Sequence, residues 1–273
     1  MGWGINAIYM MIHLAGYCFC IFIGFSLGLI GGGGSLLTMP MLVFFFGIDP
    51  LIATTYSLFI VGLTAISGSI DHYRMRSIDY KTVLLFGIPS VIILFIMRRW
   101  LLGLIPTTIL RTDSWVLSKS LFIMIVFSIT MLIAGWSMAR GASYTHSPGR
   151  LSYPRLVLQG CITGAITGFI GIGGGFIIVP SLVLFAGLPM KQAIGTSLVI
   201  ITINCLVGIL GNFEVAGSLN FSFLSILAAL AIIGILLGTW SMRFIPDKQL
   251  KPVFGWIILV LSAVIIARIF LEY

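Results

Sequence analysis

Two clusters of glycines are the residues of this sequence whose type and spacing are best suited to bind a ligand. The first cluster contains Gly31, Gly32, Gly33 and Gly34 and is followed by Ser35, and the second contains Gly171, Gly173, Gly174 and Gly175. Each cluster ends one apolar run and opens a short one. A helix that starts just after glycines directs free N–H groups and its positive dipole end at their bare backbone. Two such ends meeting at one place would bind an anion without a buried Lys or Arg.

Hydroxyl and amide side chains follow each glycine cluster and are the next candidates for ligand contacts. The predicted members are Thr55, Ser57, Thr196, Ser197 and Asn204. Hydroxyl groups can donate hydrogen bonds to the oxygens of an anion. An equally good interpretation is that these hydroxyls donate hydrogen bonds to carbonyls of the preceding helical turn. Asn204 carries an amide deep inside an apolar run, where it is costly unless it finds a partner.

The sequence shows no residue pattern typical of an enzyme, a metal site or a bound cofactor. The four cysteines lie in apolar runs without histidines or carboxylates at ligand spacing. Neither a zinc-protease motif, nor a nucleophile elbow, nor a phosphate-binding loop occurs. We therefore expect no catalytic residue, no metal and no cofactor. His13 and His72 are isolated, so the sequence leaves open whether a proton or another cation is coupled to the function.

The composition requires these residues to be positioned by membrane helices. Of the 273 residues 59% are hydrophobic and only 8% are charged, against about 25% charged residues in soluble domains. The apolar runs are unbroken, unlike the alternating strands of an outer-membrane barrel. They cover residues 5–30, 36–46, 51–70, 83–104, 117–138, 156–172, 176–188, 193–210, 221–242 and 253–270. We predict an all-α, multi-pass protein of the cell membrane, a helical bundle of about eight to ten membrane segments.

The second half of the sequence repeats the first at an offset of 140 residues. Without a gap, the offset matches Gly24 with Gly164, Gly28 with Gly168, Pro40 with Pro180, Ser57 with Ser197, and Gly68 with Gly208. We predict two repeats of five segments, 1–139 and 155–273, joined by a polar linker, 140–154. Gly24, Gly28, Gly164 and Gly168 have the spacing of small residues at helix contacts, so we assign them to packing.

The charged loops predict that the two repeats have opposite orientations. The loop 71–81 contains Arg74, Arg76 and Lys81, whereas the equivalent loop 211–220 contains no base. The positive-inside rule places these loops on opposite sides of the membrane, as does an odd number of segments per repeat. Ten of the fifteen Lys and Arg residues then lie inside. The segment from Arg98 to Lys119 disagrees, because its bases fall in an outside loop.

Inverted repeats with glycine-interrupted helices are typical of secondary transporters, whose substrates bind where the broken helices meet. We predict a small anion as the substrate and the lipid bilayer as the environment. The net charge of +8 fits contact with anionic lipids and a bias toward anions, and we expect no nucleic-acid partner. A passive anion channel built on the same site is the alternative.

The two glycine clusters resemble the duplicated signature of the TauE/SafE anion permeases. The segments that carry the resemblance are Gly28-Leu-Ile-Gly-Gly-Gly-Gly-Ser with Pro40, Gly168-Phe-Ile-Gly-Ile-Gly-Gly-Gly with Pro180, and Ala193-Ile-Gly-Thr-Ser-Leu. The first repeat departs from the pattern with Thr54-Thr55-Tyr56-Ser57. The resemblance implies a permease, often an exporter, for sulfite, sulfoacetate or other organosulfonates. A permease for carboxylates or other organic anions on the same fold is the alternative.

Overall fold

The computed structural model describes residues 2–32, 34–101, 104, 106, 108–112, 115–139, 153–170, 174–211, 219–242 and 244, and residues 255–256, 259–260, 262–267 and 269. Nearly all of this part of the chain is helical, so the predicted all-α membrane fold is confirmed. The helices are α1 (Gly2–Ile30), α2 (Ser35–Phe46), α3 (Pro50–Arg74), α4 (Tyr80–Leu101), α5 (Lys119–Ala139), α6 (Tyr153–Ile170), α7 (Gly175–Phe185), α8 (Met190–Leu210) and α9 (Phe221–Ser241). The described residues between 255 and 269 are also helical.

The lengths of the helices fit a multi-pass membrane protein. The helices α3, α4, α8 and α9 and the segment His13–Ile30 of α1 are long and apolar enough to cross a membrane. The helices α2 and α7 have 12 and 11 residues, which is too short to span the hydrocarbon core alone. Both short helices follow the predicted glycine clusters.

Two π-helical turns widen α4, at Val83–Gly87 and at Met97–Leu101. Pro89 accounts for the first turn, because proline has no N–H and its ring crowds the carbonyl four residues earlier. The second turn includes Arg98 and has no proline near it. Such turns within α-helices are frequent at functional sites.

The segment between α4 and α5 differs from the predicted loop. Arg98 and Arg99 belong to α4, which continues to Leu101. Two short antiparallel strands follow, β1 (Thr108–Thr112) and β2 (Trp115–Ser118). This hairpin is an addition to the otherwise helical part of the chain that the structure describes.

The two halves of the chain pack against each other through equivalent helices. The helix α1 lies along α9, its counterpart α6 lies along α4, and α3 lies along α8. The predicted packing glycines lie at these contacts: Gly24 and Gly28 against the carbonyls of Ala231 and Ile235, and Gly164 and Gly168 against those of Ser90 and Leu94. Their assignment to helix packing is confirmed.

In the central helices α3 and α8, equivalent glycines likewise contact residues of the opposite half of the chain. Gly68 in α3 contacts Leu198 and Ile235, and its counterpart Gly208 in α8 contacts Leu58 and Leu94. Equivalent positions therefore make equivalent contacts, as two copies of one framework would. The boundaries of the repeats and their inversion stay predictions.

Candidate functional site

Gly32, which follows α1, and Gly175, the first residue of α7, lie next to each other inside the protein. Gly32 and Gly175 face each other so closely that a methyl group on either would collide with the backbone of the other. A methyl group on Gly175 would also lie 2.6 Å from Cδ1 of Ile201, near the middle of α8. The structure thus brings one residue of each predicted cluster together halfway along a long helix. We call the contact of Gly32 with Gly175 the glycine junction.

The first loop owes its shape to Gly31 and Ser35. Gly31 has a φ of +75°, which L side chains rarely adopt, and its N–H donates to the carbonyl of Leu27 at 2.8 Å. This conformation ends α1 and turns the chain back. Ser35 opens α2, and its hydroxyl donates to the carbonyl of Gly32 at 2.7 Å. The predicted site residue Ser35 therefore supports the backbone of the glycine junction.

Gly34 and Gly174 occupy equivalent places as the residues before α2 and α7. Their backbones differ, with a φ of −63° at Gly34 and +76° at Gly174. A side chain at Gly34 would collide with the carbonyl of Ile23, and one at Gly174 with the methyl group of Thr167. Both positions are therefore restricted to glycine by crowding. The other predicted glycines, Gly33, Gly171 and Gly173, lie outside the described residues.

Ser197 and Ser57 are equivalent in the two repeats but have different surroundings. The hydroxyl of Ser197 lies 2.8 Å from the carbonyl oxygen of Gly31 and 2.7 Å from that of Ile194. Ser197 thus connects α8 to the first glycine loop. Ser57 in α3 is completely buried, and its hydroxyl has no hydrogen-bond partner within the described part of the chain.

Thr196 contacts a different part of the protein from Ser197. Its hydroxyl oxygen accepts the backbone N–H of Asp79 at 3.0 Å. The carboxylate of Asp79 in turn accepts hydrogen bonds from the Lys81 N–H and the Thr82 hydroxyl, at the start of α4. These contacts assign Thr196 to holding the loop before α4. The remaining predicted threonine, Thr55, is completely buried in α3.

Asn204 bridges α8 and α4. Its amide nitrogen donates to the hydroxyl of Ser90 at 3.0 Å, a partner that the sequence analysis did not select. The amide oxygen of Asn204 is buried and has no partner among the described residues. The amide nitrogen of Asn204 is therefore used in packing, and its amide oxygen is unused within the described part of the chain.

Buried histidine and threonine side chains also carry unused polar atoms. The ring nitrogen Nδ1 of His72 lies 2.8 Å from the hydroxyl of Ser77. Its Nε2, and the hydroxyl of Thr163 in α6, are buried without a partner in the described ranges. His72 lies beside Gly195, at the start of α8.

The prediction that Arg98 belongs to a loop is wrong, whereas the side of the membrane on which it lies stays a prediction. Arg98 lies in α4, and only 3% of it is exposed. None of its three guanidinium nitrogens has a hydrogen-bond partner in the part of the chain that the structure describes. The predicted apolar run 83–104 already contained Arg98, but its burial was not expected from the sequence. The signal that could have identified it is the conflict of this segment with the positive-inside rule.

Comparison with known proteins gives consistent matches along the chain. The family described as "Sulfite exporter TauE/SafE" matches residues 17–265. A probable membrane transporter protein of Xylella fastidiosa is 29% identical over 262 residues, which cover 90% of this chain and 92% of the relative. Similar proteins occur in Methanocaldococcus jannaschii, 28% identical over 70% of each chain, and in Bacillus subtilis, 24% identical over 87% of this chain and 91% of the relative. No solved structure matches the chain.

The family match includes both glycine loops and the helices that pack around them. The relatives are described as probable membrane transporters, and the apolar helices fit that description. The chain is therefore a multi-pass membrane transporter and not an enzyme. The resemblance of its glycine clusters to the TauE/SafE signature is confirmed, and the chain belongs to the sulfite exporter TauE/SafE family.

Proposed function

We propose that this transporter carries small sulfur-containing anions, such as sulfite, sulfoacetate or other organosulfonates, by alternating access. The observation that carries the proposal is the glycine junction, where one glycine from each half meets the other halfway along α8. The helix α7 begins at Gly175, and α2 begins at Ser35, three residues after Gly32. The positive ends of two helix dipoles are thus close to one point, which favours an anion there. The family description supports sulfite as the type of substrate.

The serines beside the glycine junction make its backbone better suited to an anion. Ser35 donates to the carbonyl of Gly32, and Ser197 lies within hydrogen-bond distance of the carbonyl of Gly31. A free carbonyl oxygen repels an anion, so these hydrogen bonds reduce the repulsion. The backbone N–H groups of the loops then provide the attractive contacts to the anion's oxygens.

Alternating access requires the glycine junction to open. Gly32 and Gly175 leave no room for a methyl group between them, so the observed arrangement is closed to a sulfite ion. We attribute the two alternating conformations to two inverted repeats, 1–139 and 155–273, each of which contributes one glycine to the junction. The reciprocal packing of α1 on α9 and α6 on α4 supports two equivalent halves. The loop 71–81 is rich in bases and its equivalent 211–220 contains none, which supports opposite orientations of the two repeats.

Flux into proteoliposomes tests this function. The purified protein is reconstituted with unlabelled sulfite inside, and labelled sulfite, sulfoacetate, taurine, sulfate, acetate or a cation is supplied outside. A carrier gives saturable uptake that internal substrate accelerates, whereas a channel gives uptake without this acceleration and a measurable current. Accelerated uptake of sulfite or an organosulfonate supports the proposal. Preference for acetate or a cation contradicts the substrate class, and uptake without acceleration contradicts alternating access. The same vesicles with a pH gradient show whether protons are coupled.

A further inference from the structure

The most unusual buried side chain in the described part of the protein is Arg98. It lies in the π-helical turn Met97–Leu101 of α4 and is 3% exposed, while its neighbour Arg99 is exposed. A methyl group at Gly211, just after α8, would lie 3.1 Å from Cβ of Arg98. Arg98 therefore lies where α4 approaches the end of α8.

The guanidinium group of Arg98 has no compensating partner among the residues that the structure describes. Its Nε, Nη1 and Nη2 atoms are buried and make no hydrogen bond to the described residues. Arginine stays protonated in proteins, and removing an unpaired charge from water costs several kcal/mol. An anion that accepts hydrogen bonds from the guanidinium would remove this cost.

The other half of the chain shows that the fold does not need a base at this place. Gly168 packs on the carbonyl of Leu94 as Gly28 packs on that of Ile235, so Thr239 is the counterpart of Arg98. The hydroxyl of Thr239 donates to the carbonyl of Ile235 at 2.6 Å and needs no further partner. The fold thus accepts a small residue whose hydroxyl bonds within its own helix at the place where the first half has an arginine.

Further unused polar groups lie on the helices that pack with α4, but at other levels. Asn204 of α8, whose amide oxygen is unpartnered among the described residues, contacts Ser90, which lies eight residues before Arg98 in α4. Arg98 itself lies beside Gly211, just after α8. An anion at Arg98 is therefore supported by Arg98 and its own surroundings.

We propose that Arg98 forms a second anion subsite, between α4 and the C-terminal end of α8 and separate from the glycine junction. Its ligand is a small oxyanion of the sulfite or sulfonate type, because two oxygens of such a group match the two parallel N–H donors of a guanidinium. The proposal rests on the proposed function, since it gives the transported anion a charged binding group on its path. Arg98 is then a specificity-determining residue that favours anions with two or more exposed oxygens over a halide such as chloride.

The test compares Arg98→Met with the matched control Arg99→Met, which removes the same charge from the exposed neighbour. Melting temperatures of the purified proteins are measured in lipid-free detergent with sulfite, methanesulfonate, acetate or chloride. We expect sulfite and methanesulfonate to raise the melting temperature of the parent protein and of Arg99→Met, but not that of Arg98→Met. Without added anion, Arg98→Met should melt at the parent temperature or above, because it loses an unpaired buried charge. In proteoliposomes, Arg98→Met should raise the KM for sulfite at least tenfold.

Several results would overturn the subsite. One is a sulfite-dependent shift that survives in Arg98→Met. Another is a melting temperature of anion-free Arg98→Met well below that of the parent, or its failure to reach the membrane, since an unpaired charge should not be required for folding. A parent protein stabilised by phosphatidylglycerol but not by free sulfite would show that the guanidinium binds a lipid phosphate instead.

The same measurements separate this inference from the proposed function. If parent vesicles take up no sulfur anion but sulfite still stabilises the parent and not Arg98→Met, the subsite stands and the proposed substrate is wrong. If parent and Arg98→Met vesicles transport sulfite with the same KM, the function stands and the subsite is wrong.

Discussion

Replacing Gly175 with alanine tests whether contact between the two glycine loops is needed for transport. Gly175 is the first residue of α7 and has no positive φ, so alanine can adopt its backbone conformation. The new methyl group would lie 2.5 Å from Cα of Gly32, 2.9 Å from its carbonyl oxygen and 2.6 Å from Cδ1 of Ile201. The substitution therefore fills space at the glycine junction without straining the backbone of residue 175.

The size of the effect follows from these distances. Non-bonded carbons prefer separations of about 3.5–4.0 Å, so the loops must move apart by roughly 1 Å. Overpacking of this kind costs about 1–3 kcal/mol. For a chain of roughly this size, that cost lowers the melting temperature by about 2–4 °C per kcal/mol. If the closed junction is one state of the transport cycle, the same cost shifts the equilibrium away from it by about 5- to 150-fold.

The assay measures sulfite counterflow and melting temperature on Gly175→Ala and on the matched control Gly87→Ala. A methyl group at Gly87 would meet its nearest atom, Cγ1 of Ile200, at an ordinary 3.5 Å. Because Gly87 is helical, alanine there should leave transport unchanged and keep or raise stability, by up to about 1 kcal/mol. We expect Gly175→Ala to lose at least 80–90% of counterflow, roughly the lower end of the 5- to 150-fold shift. Normal counterflow and an unchanged melting temperature in Gly175→Ala would refute the role of the junction.

The remaining predictions concern the equivalent serines and the orientation of the repeats. Ser197→Ala should lower stability by about 1 kcal/mol, because the carbonyl of Gly31 loses a donor; an unchanged melting temperature would show that this contact is unimportant. Ser57→Ala removes an unpartnered hydroxyl, so it should not lower the melting temperature but should raise the KM for sulfite, and an unchanged KM would exclude the hydroxyl from the anion's path. A membrane-impermeant thiol reagent, compared with the parent chain, should label Met75→Cys from one side of the membrane and Ser222→Cys from the other. Labelling of both exposed positions from the same side would contradict the inversion.

The helices could be predicted from the sequence because a bilayer forces the backbone to satisfy its own hydrogen bonds over about 20 apolar residues. The predicted run 221–242 corresponds to α9, Phe221–Ser241, and the run 117–138 to α5, Lys119–Ala139. The helix α3 extends past its predicted run, 51–70, to Arg74. Polar residues end an apolar run without ending the helix, so the apolar pattern marks the membrane and not the helix terminus.

The glycine loops were also visible in the sequence, but the roles of the side chains around them were not. Ser57 and Ser197 match at the repeat offset, yet one hydroxyl has a partner within the described residues and the other has none. Thr196 stands next to Ser197 and contacts Asp79 instead of the loops. Equivalence in sequence predicts equivalent backbone, whereas a hydrogen bond depends on what the rest of the chain places opposite each side chain.

The sequence by itself determined the membrane helices, the duplicated framework and the glycine loops, because each depends on residue types and spacings along the chain. Only the tertiary structure decided that Gly32 meets Gly175 and that Arg98 is buried without a partner in the described part of the chain. Both facts arise from contacts between residues more than a hundred positions apart, such as Arg98 with Gly211. Burial and partners are properties of the packed helices, and no local pattern specifies them.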